Sequence, residues 1–193
     1  MTLGAHLLAG WIIANSFRLG QRERRIVTFA SLAPDLDGIG WLADRVNAKF
    51  GMETDFYFQF HHVIGHNLLA CIAIAALSLM AANKQKWLTC WLALGAAHLH
   101  LVGDVLGSKG PDGYQWPIAY LHPFSENYLW VWRGQWELHA WQNSAITLGM
   151  LSFAIYWGWR KNYSFVEVIS VRLDKEFFKM LTRYGLARKE IAN

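Results

Sequence analysis

Residues 87–106 read WLTCWLALGAAHLHLVGDVL, and this stretch decides the fold. Alanine, leucine and glycine dominate it and the β-branched alternation of a strand is missing, so it predicts a helix. A membrane hydrocarbon core needs about 20 apolar residues per helix, so the run is just long enough to cross one. It also carries His100 and Asp104, whose spacing places both side chains on one helix face, one turn apart. A single metal ion can accept both.

Four further apolar segments lie at about residues 3–17, 26–42, 67–82 and 140–159. The chain has 193 residues, of which 54% are hydrophobic and 17% charged, which excludes a disordered protein. We therefore predict an all-α fold, a polytopic membrane bundle of four to five hydrophobic helices followed by a C-terminal amphipathic helix. The alternative is a soluble or monotopic all-α enzyme with buried helices.

Charge distribution favours the membrane bundle. If all five segments cross with the N-terminus outside, the inner parts hold 14 of the 18 lysines and arginines, as the positive-inside rule requires. The interpretation assigns residues 1–160 to a membrane-embedded domain and residues 161–193 to a basic cytoplasmic tail. The tail begins with a capping-box pattern, Ser164-x-x-Glu167, and its basic amphipathic helix suits an anionic leaflet or partner helices. The basic residues are split among three places, which argues against nucleic-acid binding.

Ligand-type side chains collect near the outer side of this topology. They are His6, the Pro34-Asp35-Leu36-Asp37 turn, the histidines of HHVIGH at 61–66, and His100 with Asp104. Ionisable groups in membrane segments are costly and usually functional. Histidine with carboxylate suits zinc, and also manganese or iron. The spacing therefore predicts a divalent metal site, in which either His61 or His62 could join His66.

The order of these motifs resembles a bacterial family of membrane-bound, metal-dependent hydrolases whose best-known member is LexA-regulated. That family has an early histidine, a PD-[LIV]-D turn, an H-R-G-x-[ST]-H-S element, an H-x-x-x-D helix and a loop ending near a proline. The similarity covers residues 1 to about 125. His62 stands where the family has arginine, and Gly65 and Asn67 replace its hydroxyl residues. Arginine and histidine differ in anion binding, so substrate identity is the property most affected.

This family is in turn distantly similar to zinc-dependent phospholipase C, and the resemblance implies a ligand set. One metal would be held by Asp35, His61 or His66, His100 and Asp104, and His6 could hold another with Asp104. Asp37 would then be the general base, or a partner that fixes a histidine tautomer. The implied location is the bacterial inner membrane, with several crossings and the site facing the periplasmic or external side.

The sequence leaves two functions open. The first is a metal-dependent hydrolase that activates water against a phosphoester or lipid-linked substrate. The second is a metal-binding membrane protein without turnover, with a structural or stress-related role. Side chains of the outer aromatic region could complete a second metal site (His122, Glu126, Glu137 and His139) or bind a head group (Lys109, Tyr114 and Trp116).

Overall fold

The computed structural model describes residues 1–110 and 112–185 and is mostly helical. Its α-helices are α1 (Leu3–Asn15), α2 (Gln21–Ala30), α3 (Gly40–Lys49), α4 (Phe56–Phe60), α5 (Leu68–Ala81), α6 (Lys86–Gly107), α7 (Trp141–Lys161) and α8 (Val171–Arg183). Short 3₁₀ segments span Ala33–Ile39 and Phe165–Val168. Two short strands, β1 (Ile118–Ala119) and β2 (Leu129–Trp130), pair antiparallel.

The helix α6 is the centre of the bundle. It packs against α1, α2 and α5, while α7 packs against α1. Small side chains such as Ala93, Ala96 and Ala97 are buried on α6, so neighbouring backbones approach it closely. Leu101 is the largest buried apolar side chain of α6 and packs in a cluster with Cys71 of α5. Close packing of this kind is typical of helices in membranes.

Large apolar side chains lie on the outside of the bundle rather than inside it. On α5, Leu77 and Met80 are 64% and 79% exposed, whereas the buried positions of that helix are Cys71, Ala75 and Ser78. The same inversion holds for α7, where Leu148 is exposed. Extended apolar surface of this kind marks an interaction with a membrane or a partner.

Only one helix of the described residues, α6, is both long and apolar enough to cross a membrane by length and composition. The helices α1 and α5 are apolar but shorter, with 13 and 14 residues. The expected segment 26–42 is not one helix, because α2 ends at Ala30 and a 3₁₀ segment follows. Pro34 lacks an N–H and restricts the residue before it, which explains the break.

The tail also differs from the predicted single helix. Ser164 caps the 3₁₀ segment Phe165–Val168, and Ser170 caps α8. Glu167 turns away from the expected capping box and pairs with Arg24 of α2, at 2.6 and 2.8 Å. The first part of the tail is therefore docked on the bundle. The end of the predicted basic tail, residues 186–193, lies outside the described part of the chain.

Candidate metal centre

Three separate parts of the chain meet at the C-terminal end of α6. The 3₁₀ segment Ala33–Ile39 carries the aspartates of the PDLD turn, residues 61–66 form a non-helical turn before α5, and α6 carries the HxxxD pair. Asn67 fixes the start of α5, because its side chain accepts a hydrogen bond from the Ala70 N–H and donates to the carbonyls of Val63 and Ile64. This cap holds the histidine turn against the helix that follows.

Four ligand atoms from these parts form a compact cage, with one each from Asp35, His66, His100 and Asp104. The His100 Nε2 lies 3.1 Å from His66 Nε2 and 3.0 Å from Asp104 Oδ2. Asp35 Oδ1 lies 3.4 Å from His100 Nε2 and 3.7 Å from His66 Nε2, and His66 Nε2 lies 3.3 Å from Asp104 Oδ2. A tetrahedral zinc ion with ligands at 2.0–2.2 Å needs edges of about 3.4 Å. Five of the six edges of the cage are thus close to those of a tetrahedral metal site.

The tautomers of the two cage histidines can be assigned from their outer nitrogens. His100 Nδ1 lies 2.7 Å from the Ser31 carbonyl oxygen, which can only accept, so this nitrogen carries the proton. His66 Nδ1 lies 3.0 Å from a carboxylate oxygen of Asp37 and donates in the same way. In the neutral rings both Nε2 atoms then present lone pairs to each other. A positive charge must lie between them, supplied by a cation or by further protons.

Asp104 gives a second reason to place a cation in the cage. It is 3% exposed, and its Oδ2 faces the Nε2 atoms of His100 and His66 at 3.0 and 3.3 Å, neither of which carries a proton in the neutral tautomers assigned above. The other oxygen, Oδ1, lies 3.1 Å from His6 Nε2 and also contacts the Met1 amino group. His6 stacks on the ring of His100 at 3.7 Å. His6 therefore lies beside the cage and contacts the outer oxygen of one of its carboxylates.

Asp37 lies behind the cage rather than in it. Its Oδ1 accepts a hydrogen bond from His61 Nδ1 at 2.8 Å, and its Oδ2 accepts from the Gly65 N–H at 2.9 Å as well as from His66. Burial would raise the pKa of Asp37, but the hydrogen bonds from His61 and His66 outweigh it and lower that pKa below its usual range. The group is thus held as an anion that orients His66. Asp37, His61 and His66 also form a second cluster with metal-ligand spacing.

His62, the other candidate in the histidine turn, has no ligand-type atom in either cluster. It is buried, adopts a positive φ of 69° and stacks on His66 at 4.4 Å. Burial, the largest cause, lowers its pKa to about 3, so it is neutral at physiological pH. Trp116 covers it at 4.9 Å and lies 5.6 Å from His61. His62 therefore packs between His66 and Trp116 at the side of the turn.

Of the six metal ligands expected from the sequence, the structure brings four into the cage. His6 and His61 lie one contact away, on Asp104 and Asp37 respectively. The side chains proposed for a second site join no metal-type cluster among the described residues (His122, Glu126, Glu137 and His139).

Sequence reasoning missed two contributors because both act through the backbone. Ser31 offers its carbonyl to His100, and its hydroxyl donates to the His6 carbonyl at 2.8 Å. Gly65 offers its N–H to Asp37, and a β-carbon there would lie 2.9 Å from the carbonyl carbon of Pro34. The replacement of a hydroxyl residue by glycine at position 65 was the only signal in the sequence for this close approach.

The family model described as YdjM inner membrane protein matches residues 1–173, which include both clusters and the docked start of the tail. No curated protein and no solved structure matches the chain.

Proposed function

The chain belongs to the YdjM inner membrane protein family, and we propose that it is a membrane-bound, metal-dependent hydrolase of a phosphoester or lipid-linked substrate. The observation that carries the proposal is the cage of four electron-pair donors, in which five of the six interatomic distances are 3.0–3.7 Å and Asp104 is buried. Membership of an inner-membrane family and a buried cluster of this kind fit a membrane metal-binding protein. Hydrolytic activity goes beyond membrane metal binding and is our proposal.

Zinc is the metal that we propose, because two imidazoles and two carboxylates at tetrahedral spacing match its preferences; manganese and iron accept the same ligands. Asp35, His66, His100 and Asp104 would hold it. A divalent ion there would acidify a water molecule and polarise a phosphoryl or acyl oxygen. The chain's own contribution is orientation, since Asp37 and the Ser31 carbonyl fix the tautomers of the two histidines.

We place the protein in the inner membrane with several helices in the bilayer, although α6 is the only described helix that meets the length and composition of a span. The exposed apolar faces of α5 and α7 support this arrangement. The positive-inside distribution puts the basic tail, residues 161–193, in the cytoplasm and the metal centre toward the external side. Residues 1–160 would form the membrane-embedded domain.

A metal site without turnover is the second candidate, and a specific observation favours it. Four protein ligands already fill a tetrahedron, which is typical of structural zinc sites, whereas catalytic sites keep one position for water. Three of the four side chains are at most 4% exposed, and only Asp35, at 25%, is open to the surroundings. A hydrolase would therefore require Asp35 to dissociate from the metal, or the metal to accept water as a fifth ligand.

Elemental analysis of the purified full chain tests metal binding. His100→Ala should lose the metal, whereas His98→Ala should retain it, because His98 contacts the Leu94 carbonyl and Tyr120 instead of the cage. Circular dichroism of both variants confirms that the helices remain. Equal metal content in the two variants would remove the premise of both functions.

Turnover separates the two functions. The metal-loaded protein in detergent is assayed on phosphodiester and phospholipid substrates with added zinc or manganese. Hydrolysis that His100→Ala abolishes and His98→Ala preserves would support the enzyme. Stoichiometric metal without hydrolysis of either class would favour the structural role.

A further inference from the structure

An apolar groove runs along the bundle between α2, the 3₁₀ segment Ala33–Ile39 and α5. It has a volume of about 1010 Å³. Its walls carry large apolar side chains (Leu3, Ile26, Phe29, Leu36, Ile74 and Leu77). Four of them are strongly exposed, with Phe29 at 48%, Leu3 at 59%, Leu77 at 64% and Leu36 at 71%. A groove with this lining favours a hydrocarbon chain.

Two arginines stand at one end of the groove. Arg22 and Arg25 are three residues apart on α2, so they share a helix face, and both line the groove. The Nε of Arg22 donates to the Ala81 carbonyl at 2.9 Å, and that of Arg25 donates to the Val168 carbonyl at 3.2 Å. Backbone acceptors thus orient both guanidinium groups. Neither arginine forms an ion pair with any residue that the structure describes.

The nearby acids are already engaged. Glu23 is buried and accepts from the backbone N–H groups of Asn83 and Lys84. Glu167 pairs with Arg24. Glu23 interacts electrostatically with Arg22, but its carboxylate is buried and held by backbone N–H groups, so neither guanidinium forms an ion pair. This end of the groove therefore presents two oriented cations, and arginine is the residue best suited to a phosphate.

At its other end the groove reaches Asp35, the one cage carboxylate that is partly exposed. From Arg22 to Ala30 the helix rises about 12 Å, at ~1.5 Å per residue. That length is close to half of a hydrocarbon core of ~30 Å. The groove therefore matches one acyl chain of a single leaflet, with its polar end at the basic side of the protein.

We propose that this groove binds an anionic membrane phospholipid, with its phosphate on Arg22 and Arg25 and one acyl chain along α2 and α5 toward Asp35. The juxtaposition of a phosphate-type clamp with an apolar channel selects an amphiphile, since a soluble anion would leave the channel empty. Lipid binding here needs neither the metal nor hydrolysis, because the head-group end lies at the opposite end of α2 from the metal centre.

The test is lipid retention by the full chain in mild detergent, measured by native mass spectrometry. The probes are phosphatidylglycerol and phosphatidylcholine with identical acyl chains. Both lipids carry a phosphate, but the quaternary ammonium of phosphatidylcholine cancels its charge and is repelled by the two guanidinium groups. We therefore expect phosphatidylglycerol to bind at least about tenfold more tightly. The double variant Arg22→Gln/Arg25→Gln should lose this preference. Arg45→Gln should keep it, because Arg45 lies on α3 over Trp41, away from the groove.

A second pair of variants tests the acyl chain. Leu77→Trp fills the groove and should weaken retention about tenfold, whereas Leu148→Trp adds the same bulk to an exposed position of α7 and should not. Equal retention of the two lipids would overturn the proposal. So would equal effects within either pair of variants. A preference that depends on the arginines but not on Leu77 would show head-group attraction alone and would also overturn it.

Discussion

Gly65→Ala is the substitution for which the structure gives the clearest prediction. The added β-carbon would overlap the carbonyl oxygen of Pro34 and lie 2.9 Å from its carbon. Ordinary contact begins near 3.4 Å, so the histidine turn and the PDLD segment must separate by at least about 0.5 Å. Metal–ligand distances tolerate only about ±0.2 Å. The separation would also stretch the 2.9 Å hydrogen bond from Gly65 to Asp37.

Two consequences can be measured. Misplacing His66 and its partner Asp37 should weaken zinc binding by about 10- to 100-fold, the usual effect of disturbing a residue that orients a ligand. Overpacking should lower the free energy of unfolding by about 1–3 kcal/mol. The assays are competition with a chromophoric chelator and thermal unfolding of the metal-free protein.

The matched control is Gly95→Ala on α6, where a β-carbon would meet nothing within 4 Å. In a helix interior alanine is favoured over glycine by about 0.5–1 kcal/mol, so this variant should gain stability and bind zinc normally. If Gly65→Ala binds zinc as tightly as Gly95→Ala, the close packing of the turn on Pro34 does not position the cage, and the reasoning is refuted.

Three further predictions follow from the contacts around the site and the tail. Asp37→Asn should weaken zinc binding about 10- to 100-fold while leaving the helices intact, because the amide orients His66 less well; an unchanged affinity would contradict it. Hydrogen bonds lower the pKa of Asp37 in the folded protein, so the Asp37 carboxylate stabilises the fold above its unfolded pKa of about 3.9, and this stabilisation is lost as the pH falls further. The melting temperature of metal-free Asp37→Asn should therefore depend less on pH below about 4 than that of the unmodified protein. Arg24→Gln should lower the free energy of unfolding by about 3 kcal/mol, because it leaves the fully buried Glu167 unpaired, and Arg24→Gln/Glu167→Gln should recover most of it in a double-mutant cycle.

The part of the site that lies on one helix could be predicted from the sequence. The spacing of His100 and Asp104 places both on one face of α6, and the structure has both in the cage. The choice among His61, His62 and His66 could not be predicted, because these residues lie in a non-helical turn where spacing does not determine direction. His62 takes a positive φ there, and its ring lies 4.9 Å from that of Trp116.

The mostly helical fold was also predictable, since alanine- and leucine-rich segments form helices. Where those helices break depends on single residues and on partners distant in sequence. Pro34 ends the second apolar segment, and the tail changes direction where Glu167 meets Arg24, 143 residues away. Such long-range pairs leave no periodic signal.

Asp35 determines which chemistry the centre can support. The two histidines are locked by Asp37 and the Ser31 carbonyl, and Asp104 is buried on α6, so none of these three ligands can move without breaking other contacts. Asp35 is the exception, because it is partly exposed and sits on a short 3₁₀ segment at the edge of an apolar groove. A vacant coordination position would therefore open at Asp35, on the side where a lipid chain would lie. The substrate of a hydrolase built on this cage would therefore approach along the apolar groove beside Asp35.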